Sequence, residues 1–216
     1  MDPIILAAHV LPKPGDELMD IGCGCGIMPM ILGTRHPDVK ITGIEIQDEL
    51  AAMAKKNVNA RQMGDRIRIL NRDIGAVSPK DIDHPVDIII SNPPYKKRHT
   101  GRINPNFQKA IARHEIKLDL DMLFSRTRRF LKPMGSLTII FPAQRIADIV
   151  RAMDANGFSP HWFRFVHIKK GQPARLVLAS GLKSRTDSLT IRPPLFIHDA
   201  NGRPTKEFAE ITLTEI

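Results

Sequence analysis

Cysteine is nearly absent from this chain of 216 residues, which contains only Cys23 and Cys25. Two cysteines in one short segment are too few for a disulfide framework or a four-cysteine zinc site, and we expect no metal centre. No apolar run approaches the roughly 18 residues of a membrane helix, and the N-terminus lacks a basic and then apolar leader. No internal repeat is visible. These absences predict one soluble, cytoplasmic domain over residues 1–216.

Charge is unevenly distributed along the chain. Residues 1–95 carry 10 basic and 13 acidic side chains, whereas residues 96–216 carry 22 basic and 10 acidic ones. The formal net charge of +9 therefore comes from the second part. Such an excess is typical of proteins that bind nucleic-acid phosphates, and it is also compatible with an ordinary solvated basic surface.

A strand pattern, a glycine-rich turn and a helix pattern follow one another near the N-terminus. The turn lies between an apolar strand of residues 17–21 and a helix that begins at Ile27, and it has the sequence Gly22-Cys23-Gly24-Cys25-Gly26. Glycines let the backbone approach a ligand closely, and the helix start presents free N–H groups to it. Ile27 occupies the third glycine position of dinucleotide sites. Asp20, at the strand end, could instead accept a hydrogen bond from a cationic amine, which favours S-adenosylmethionine as the cofactor.

Two further acidic residues follow predicted strands. The strand pattern of residues 40–46 contains Glu45, about twenty residues beyond the glycines, where a carboxylate is expected to bind ribose hydroxyls. The pattern of residues 66–70 leads to Asp73, which could accept a hydrogen bond from the adenine amino group of the cofactor. Taken alone, Asp73 is nearly as typical of a loop or helix cap.

The most informative feature is the tetrapeptide Asn92-Pro93-Pro94-Tyr95, directly after the apolar strand pattern of residues 86–91. In open α/β sheets, ligands bind beyond the carboxyl ends of such strands. The side-chain oxygen of Asn92 and the carbonyl of Pro93 could each accept one N–H of a planar amine, and the proline rings stiffen the loop. Tyr95 would stack on a base swung out of its own stack. A loop that only caps the strand is the alternative.

These motifs predict three sets of site residues. The catalytic set is Asn92, Pro93, Pro94 and Tyr95. The cofactor-binding set is Asp20, Gly22, Cys23, Gly24, Gly26, Glu45, Ile46, Asp73, Ile74 and Asn92. The RNA-binding set, next to the base pocket, is Lys96, Lys97, Arg98 and Arg102. The basic run from Arg126 to Arg129 is as typical of a salt-bridged helix surface as of an RNA contact.

In this order, the motifs resemble those of class I S-adenosylmethionine-dependent methyltransferases that methylate amino groups. The segments Arg102-Ile103-Asn104-Pro105 and Ala112-Arg113-His114-Glu115 further resemble the bacterial adenine-N6 methyltransferases of valine tRNA, which act beside the anticodon. The resemblance implies methyl transfer to N6 of an adenine in RNA. The first eight residues resemble only the tail of the segment that caps the cofactor in this family, which indicates a short or truncated N-terminus.

Three alternatives remain open. A glutamine N5-methyltransferase acting on release factors uses a similar tetrapeptide, because a side-chain amide also presents two N–H groups. A guanine-N2 methyltransferase of ribosomal RNA is chemically close. A catalytically inactive RNA-binding or cofactor-sensing module is the third alternative, from a different class.

The remaining patterns predict a doubly wound, Rossmann-like sheet that is mostly parallel and closes with a C-terminal antiparallel hairpin. Trp162, Phe163 and Phe165 are expected to pack in the core and at the sheet edge. The predicted helices cover residues 47–63, 113–131 and 143–156, and the later strands cover residues 136–141, 162–168 and 175–180.

Overall fold

The computed structural model describes residues 1–93, 120–184 and 188–213. The strands in these ranges are β1 Glu17–Ile21, β2 Lys40–Glu45, β3 Ile67–Asn71, β4 Val86–Ser91, β5 Leu131–Pro142, β6 Ser159–Lys169, β7 Ala174–Leu182 and β8 Thr190–His198. The helices are α1 Asp2–Ala7, α2 Ile27–Arg35, α3 Asp48–Ala60, α4 Leu120–Arg128, α5 Ile146–Ala155 and α6 Lys206–Leu213, with 3-10 turns at Pro79–Asp81 and Ala143–Arg145.

All eight strands belong to one sheet in the order β3-β2-β1-β4-β5-β7-β6-β8. Strands β1 to β5 are parallel, β7 is antiparallel to both of its neighbours, and β8 is parallel to β6. The predicted Rossmann-like sheet with a C-terminal antiparallel hairpin is therefore confirmed. Because β1 to β5 are parallel, their carboxyl ends lie at one edge of the sheet, the carboxyl edge, and their amino ends at the opposite amino edge.

Strand β8 and helix α6 were not predicted from the sequence. Pro193 and Pro194 interrupt the strand pattern and signal a turn, yet β8 is an edge strand, where missing N–H donors are tolerated. The register between β6 and β8 shifts at this point, from the pair Arg164 and Arg192 to the pair Val166 and Leu195. An irregularity in the edge pairing thus accommodates the two prolines.

Several predicted boundaries were displaced. The helix over residues 47–63 ends at Ala60, and Gln62 follows in the left-handed region with φ 53°. The helix expected to reach residue 131 ends at Arg128, because Leu131 already pairs with Val86 as the first residue of β5. The segment expected as a turn before residue 136 is an irregular part of that strand, with Met134 at φ 65°.

A hydrophobic core lies on each face of the sheet. Helices α1, α2, α3 and α6 contribute to one core, and α4, α5 and the segment of residues 74–82 contribute to the other. Trp162 and Phe163 are buried in opposite cores, and Phe165 is partly buried, as expected from their positions in the sequence. Ile5 and Leu6 of α1 are fully buried. In the described ranges no helix is long and apolar enough to cross a membrane.

Candidate active site

The glycine-rich turn connects β1 to α2 at the carboxyl edge. Gly22, Gly24 and Gly26 have φ values of 75°, 56° and 87°, a region that other residues rarely adopt. The N–H groups of Gly22 and Cys23 both donate to the Ile44 carbonyl, at 2.8 and 3.1 Å, and so bind the turn to β2. At Gly22 and Gly24, no atom of the described residues beyond the two chain neighbours lies within 4 Å of the position of an added Cβ. The turn is therefore fixed on its inner side and open on its outer side.

Asp20 precedes this turn at the end of β1 and is fully buried. Neither of its carboxylate oxygens has a hydrogen-bond partner among the described residues, which is uncommon for a buried polar group. Burial raises the pKa of Asp20 well above its ordinary value, and the negative charge of Glu45 raises it further. An unsatisfied carboxyl group beside an open turn fits the binding of a cationic amine.

Glu45 occupies the end of β2 and is almost entirely buried. Its Oε2 accepts a hydrogen bond from the N–H of Gly24 at 2.9 Å, and its Oε1 accepts one from the N–H of Gln47 at 2.9 Å. Each carboxylate oxygen has a second lone pair available to a hydroxyl group. Glu45 therefore supports the glycine turn directly, a contact that its position in the sequence did not predict.

The two cysteines of the turn differ in environment. Cys23 is buried, and burial, followed by the charges of Asp20 and Glu45, raises the pKa of its thiol. Such a thiol is a poor nucleophile because the thiolate is the reactive form. The carbonyl of Cys25 accepts a hydrogen bond from Asn57 of α3 at 2.9 Å. Cys25 thus helps to connect the turn to α3, and the cofactor contact predicted for Cys23 stays a prediction.

The segment after β3 forms a compact turn around Asp73. The Asp73 side chain accepts a hydrogen bond from the N–H of Gly75 at 2.8 Å, and its carbonyl accepts one from Ala76 at 2.8 Å. Of the two apolar residues predicted beside the cofactor, Ile46 is half-buried, whereas Ile74 is buried in a core. Asp73 therefore has the loop-capping contact that was its alternative interpretation, and its carboxylate remains half-buried.

The predicted catalytic loop, which starts at Asn92, begins directly after β4. Asn92 is half-buried and Pro93 is buried at the carboxyl edge. The buried hydroxyl of Ser91 donates a 2.8 Å hydrogen bond to the carbonyl of Ile21, the residue before the glycine turn. This bond joins the starts of the two predicted loops, so the structure brings Asn92 close to the glycine turn. Sequence reasoning missed Ser91, whose only signal is a hydroxyl group at the end of an otherwise apolar strand.

Some of the predicted residues lie outside the described ranges. These are Pro94 and Tyr95 of the catalytic set, and Lys96, Lys97, Arg98 and Arg102 of the RNA-binding set. Their roles stay predictions.

The basic run from Arg126 to Arg129 lies away from the catalytic loop. It ends just before Leu131, at the amino edge of the sheet. The Arg129 guanidinium lies 4.8 Å from the centre of the Phe130 ring and donates hydrogen bonds to the carbonyls of Val77 and Ile74. These contacts favour the structural interpretation of Arg129. Within the described ranges, no group of three His, Cys, Asp or Glu side chains could hold a metal ion.

The fold and site together define a class of protein. A glycine turn after β1, an acid at the end of β2 and an Asn-Pro pair after β4, on one edge of a Rossmann-like sheet, form the arrangement expected of a class I methyltransferase. The chain belongs to the methyltransferase small domain family, which it matches over residues 4–155.

Curated relatives cover almost the whole chain. It is 30% identical to a tRNA1(Val) (adenine(37)-N6)-methyltransferase of Tolumonas auensis, over 96% of this chain and 84% of that protein. It is 31% identical to a protein of the same name from Porphyromonas gingivalis, over 95% of this chain and 80% of the relative.

Solved structures support the fold. A predicted O-methyltransferase from Agrobacterium tumefaciens has a TM-score of 0.77 at 21% identity, with 100% of this chain and 97% of that chain covered. A geranyl diphosphate C-methyltransferase from Streptomyces coelicolor, in complex with S-adenosyl-L-homocysteine, has a TM-score of 0.59 at 17% identity, with 84% and 79% covered. At these identities the likeness concerns the fold alone.

Proposed function

We propose that this protein transfers a methyl group from S-adenosylmethionine to the exocyclic N6 of an adenine in tRNA, namely adenine 37 of tRNA1(Val). The observation that carries the proposal is the Asn92-Pro93 pair at the end of β4, joined to the glycine turn through Ser91 and Ile21. The similarity to tRNA adenine-N6 methyltransferases over 96% of the chain supports the choice of substrate. Because the substrate is tRNA, we place the protein in the cytoplasm.

The residues at the carboxyl edge fit the cofactor. Asp20 lacks a hydrogen-bond partner among the described residues and would accept one from the amino group of the methionine moiety. Gly22 and Gly24 leave open space beside the turn, Glu45 would accept hydrogen bonds from the ribose hydroxyls, and Asp73 one from the adenine amino group. When bound, S-adenosylmethionine supplies an electrophilic methyl group on a sulfonium.

The adenine amine is a weak nucleophile because its lone pair is delocalised into the ring, and the catalytic loop would make it more reactive. The Asn92 side-chain oxygen and the Pro93 carbonyl would each accept one N–H and draw the nitrogen toward tetrahedral geometry. Acceptors already held in place reorganise little as charge develops on the nitrogen. Tyr95 would stack on the flipped base, a contact worth about 1 to 3 kcal/mol. Orientation of the amine supplies much of the remaining rate enhancement.

A labelled-methyl transfer assay tests this proposal. Purified protein is incubated with S-adenosylmethionine labelled in its methyl group and an unmodified tRNA1(Val) transcript, and the nucleosides are then separated. We expect the label in N6-methyladenosine, and its loss when adenine 37 is replaced. In parallel reactions with ribosomal RNA or a release factor as the substrate, label in N2-methylguanosine or in glutamine would instead support one of the two enzyme alternatives. Absence of transfer to all three would contradict an active enzyme.

Asn92→Ala tests the catalytic assignment within this assay. Removal of one preorganised acceptor is expected to lower kcat by about 10² to 10³-fold, while cofactor affinity stays close to that of the wild type. Asn59→Ala, at an exposed position of α3, serves as the matched control. Equal loss of cofactor binding and transfer in Asn92→Ala would contradict the assigned role.

A further inference from the structure

The sheet order brings two C-terminal loops to the same edge as the catalytic loop. Because β7 is antiparallel to β5, the turn between β6 and β7 lies at the carboxyl edge, beyond the pairing of Pro142 with Leu176. Because β8 is parallel to β6, the segment after His198 lies there too, beyond the pairing of Lys169 with His198. Adjacent strands lie about 4.8 Å apart, so β6 lies about 15 Å across the sheet from β4. The register places Ser91 level with Phe163, so Lys169 at the end of β6 lies about 20 Å farther along the strand direction and about 25 Å from the end of β4.

Hydrogen bonds within the turn between β6 and β7 fix its backbone conformation. The N–H of Gln172 donates to the Lys169 carbonyl at 3.2 Å, and Gly171 adopts φ 83°. His167 Nδ1 lies 2.8 Å from the carbonyl of Gln172, which connects the turn to the body of β6. The turn therefore presents the exposed side chains of Lys170 and Arg175 on a defined backbone.

The segment after β8 is held in a similar way. Oδ1 of Asp199 accepts hydrogen bonds from the N–H groups of Asn201 and Arg203, at 2.8 and 2.9 Å. A Cβ added at Gly202 would lie 3.7 Å from Lys169 Nζ, so the two loops lie side by side. Arg203 is exposed.

We name the four cations of these loops the basic rim: Lys169, Lys170, Arg175 and Arg203. Within the described ranges, none of them forms an ion pair. Neighbouring acids have other partners, since Asp199 binds backbone N–H groups, and Glu207 pairs with Arg164. The rim cations therefore carry positive charge that no direct ion pair neutralises, and Asp199 is the one acid within their own two loops.

We propose that the basic rim binds the phosphate backbone of the tRNA substrate, next to the nucleotides that contact the catalytic loop. This inference rests on the proposed function. Along the axis of a duplex, successive phosphates of one strand are about 3.4 Å apart, so about 25 Å between the rim and the end of β4 corresponds to roughly seven of them. The rim would thus bind phosphates flanking the target nucleotide without contacting the base itself. Such contacts position a nucleic acid and do not specify its sequence.

The test compares two triple variants that each lose three positive charges. The rim variant combines Lys170→Gln, Arg175→Gln and Arg203→Gln. Lys169 is kept because its Nζ lies next to Gly202 of the neighbouring loop. The control variant is Lys55→Gln, Lys56→Gln and Arg61→Gln, at exposed positions on and just after α3. Binding of an unmodified tRNA1(Val) transcript is measured as a function of salt concentration, together with binding of S-adenosylmethionine.

We expect the rim variant to bind the transcript at least about tenfold more weakly at 0.1 M salt, with a salt slope smaller by about 2 to 3. The control variant should bind tRNA like the wild type, and both variants should bind the cofactor normally. If the wild type methylates and binds tRNA but the rim variant matches the control, the rim proposal alone is wrong. If the wild type neither binds nor methylates tRNA, the proposed function fails as well. Binding of a release factor instead of tRNA would likewise overturn the rim proposal.

Discussion

The two edges of the sheet use their charged residues in different ways. At the amino edge, Lys132 Nζ forms a 2.7 Å ion pair with Asp87 Oδ2, which also accepts a hydrogen bond from the N–H of Glu17 at 2.9 Å. Lys183 donates to the carbonyl of Leu131 at the same edge. These contacts join the starts of β1, β4 and β5 and the end of β7. Charge at the amino edge therefore stabilises the fold.

At the carboxyl edge, Glu45 and Asp73 accept hydrogen bonds from backbone N–H groups, but other charged side chains lack such partners among the described residues. Asp20 is buried without a hydrogen bond, and the four cations of the basic rim have no ion pair. An unsatisfied buried polar group costs stability, so its presence calls for a functional explanation. This difference supports the proposal that ligands bind at the carboxyl edge, whereas the ion pair at the amino edge contributes to stability.

Among the variants that test this difference between the two edges, Asp20→Asn is expected to have the largest effect. Loss of a charge-assisted hydrogen bond should weaken S-adenosylmethionine binding by about 10- to 100-fold, measured by calorimetry. Because the pKa of Asp20 is raised in the folded protein, the wild type loses stability as the pH rises from the unfolded pKa through the folded one. Asp20→Asn removes this loss, so we expect it to be more stable than the wild type at neutral pH.

Asp83→Asn is the control for this prediction, since Asp83 is exposed and lies 3.6 Å from Arg68. It should change neither cofactor affinity nor the pH profile of thermal unfolding appreciably. If the Asp20→Asn protein is less stable than the wild type at pH 7 and still binds the cofactor normally, the proposed difference between the two edges is wrong.

A smaller effect is expected from Ser91→Ala. Loss of its hydrogen bond to Ile21 should cost about 1 kcal/mol of unfolding free energy and lower kcat by up to about tenfold, because the catalytic loop is less well oriented. Ser180→Ala is the matched control, since the buried Ser180 hydroxyl bonds to Thr138 at 3.1 Å between β5 and β7. The two variants should lose similar stability, measured by denaturant unfolding, and only Ser91→Ala should lose kcat. Equal kcat in both would contradict a positioning role for Ser91.

The smallest effect is expected at the amino edge from Lys132→Gln. The ion pair with Asp87 raises the pKa of Lys132, yet its side chain is 40% exposed and screened by solvent. We therefore expect a loss of about 0.5 kcal/mol in unfolding free energy that shrinks at high salt. Affinity for tRNA should stay unchanged, in contrast to the rim variant. Weakened tRNA binding by Lys132→Gln would show that the two edges do not differ as described.

Local patterns were sufficient to predict the strands and the glycine turn on which the proposed site depends. Strands β1 and β4 have the predicted bounds, and the positive φ values of Gly22, Gly24 and Gly26 follow from a turn that must reverse direction within a few residues. Because β4 ends at Ser91, Asn92 lies at the carboxyl edge, as the apolar pattern of residues 86–91 predicted. These features depend on residues close together in sequence, and the sequence therefore reveals them.

Contacts between distant segments were not predictable in the same way. Glu45 accepts a hydrogen bond from Gly24, which lies 21 positions away in the sequence. Ser91 donates one to Ile21, which lies 70 positions away. Arg129 belongs to a basic run in the sequence, whereas the cations of the basic rim come from two separate segments that only the sheet brings together. Their positions in the fold therefore separate a structural role from a proposed RNA contact.

The sequence by itself determined the strand and turn chemistry of this protein: three left-handed glycines, an acid at each of two strand ends, and an Asn-Pro pair after a buried strand. The tertiary structure decided which charges are paired, which carboxylate is buried without a partner, and which loops share an edge with the catalytic segment. The physical reason is that turn conformation depends on local sterics, whereas burial and pairing depend on the order of strands in the sheet.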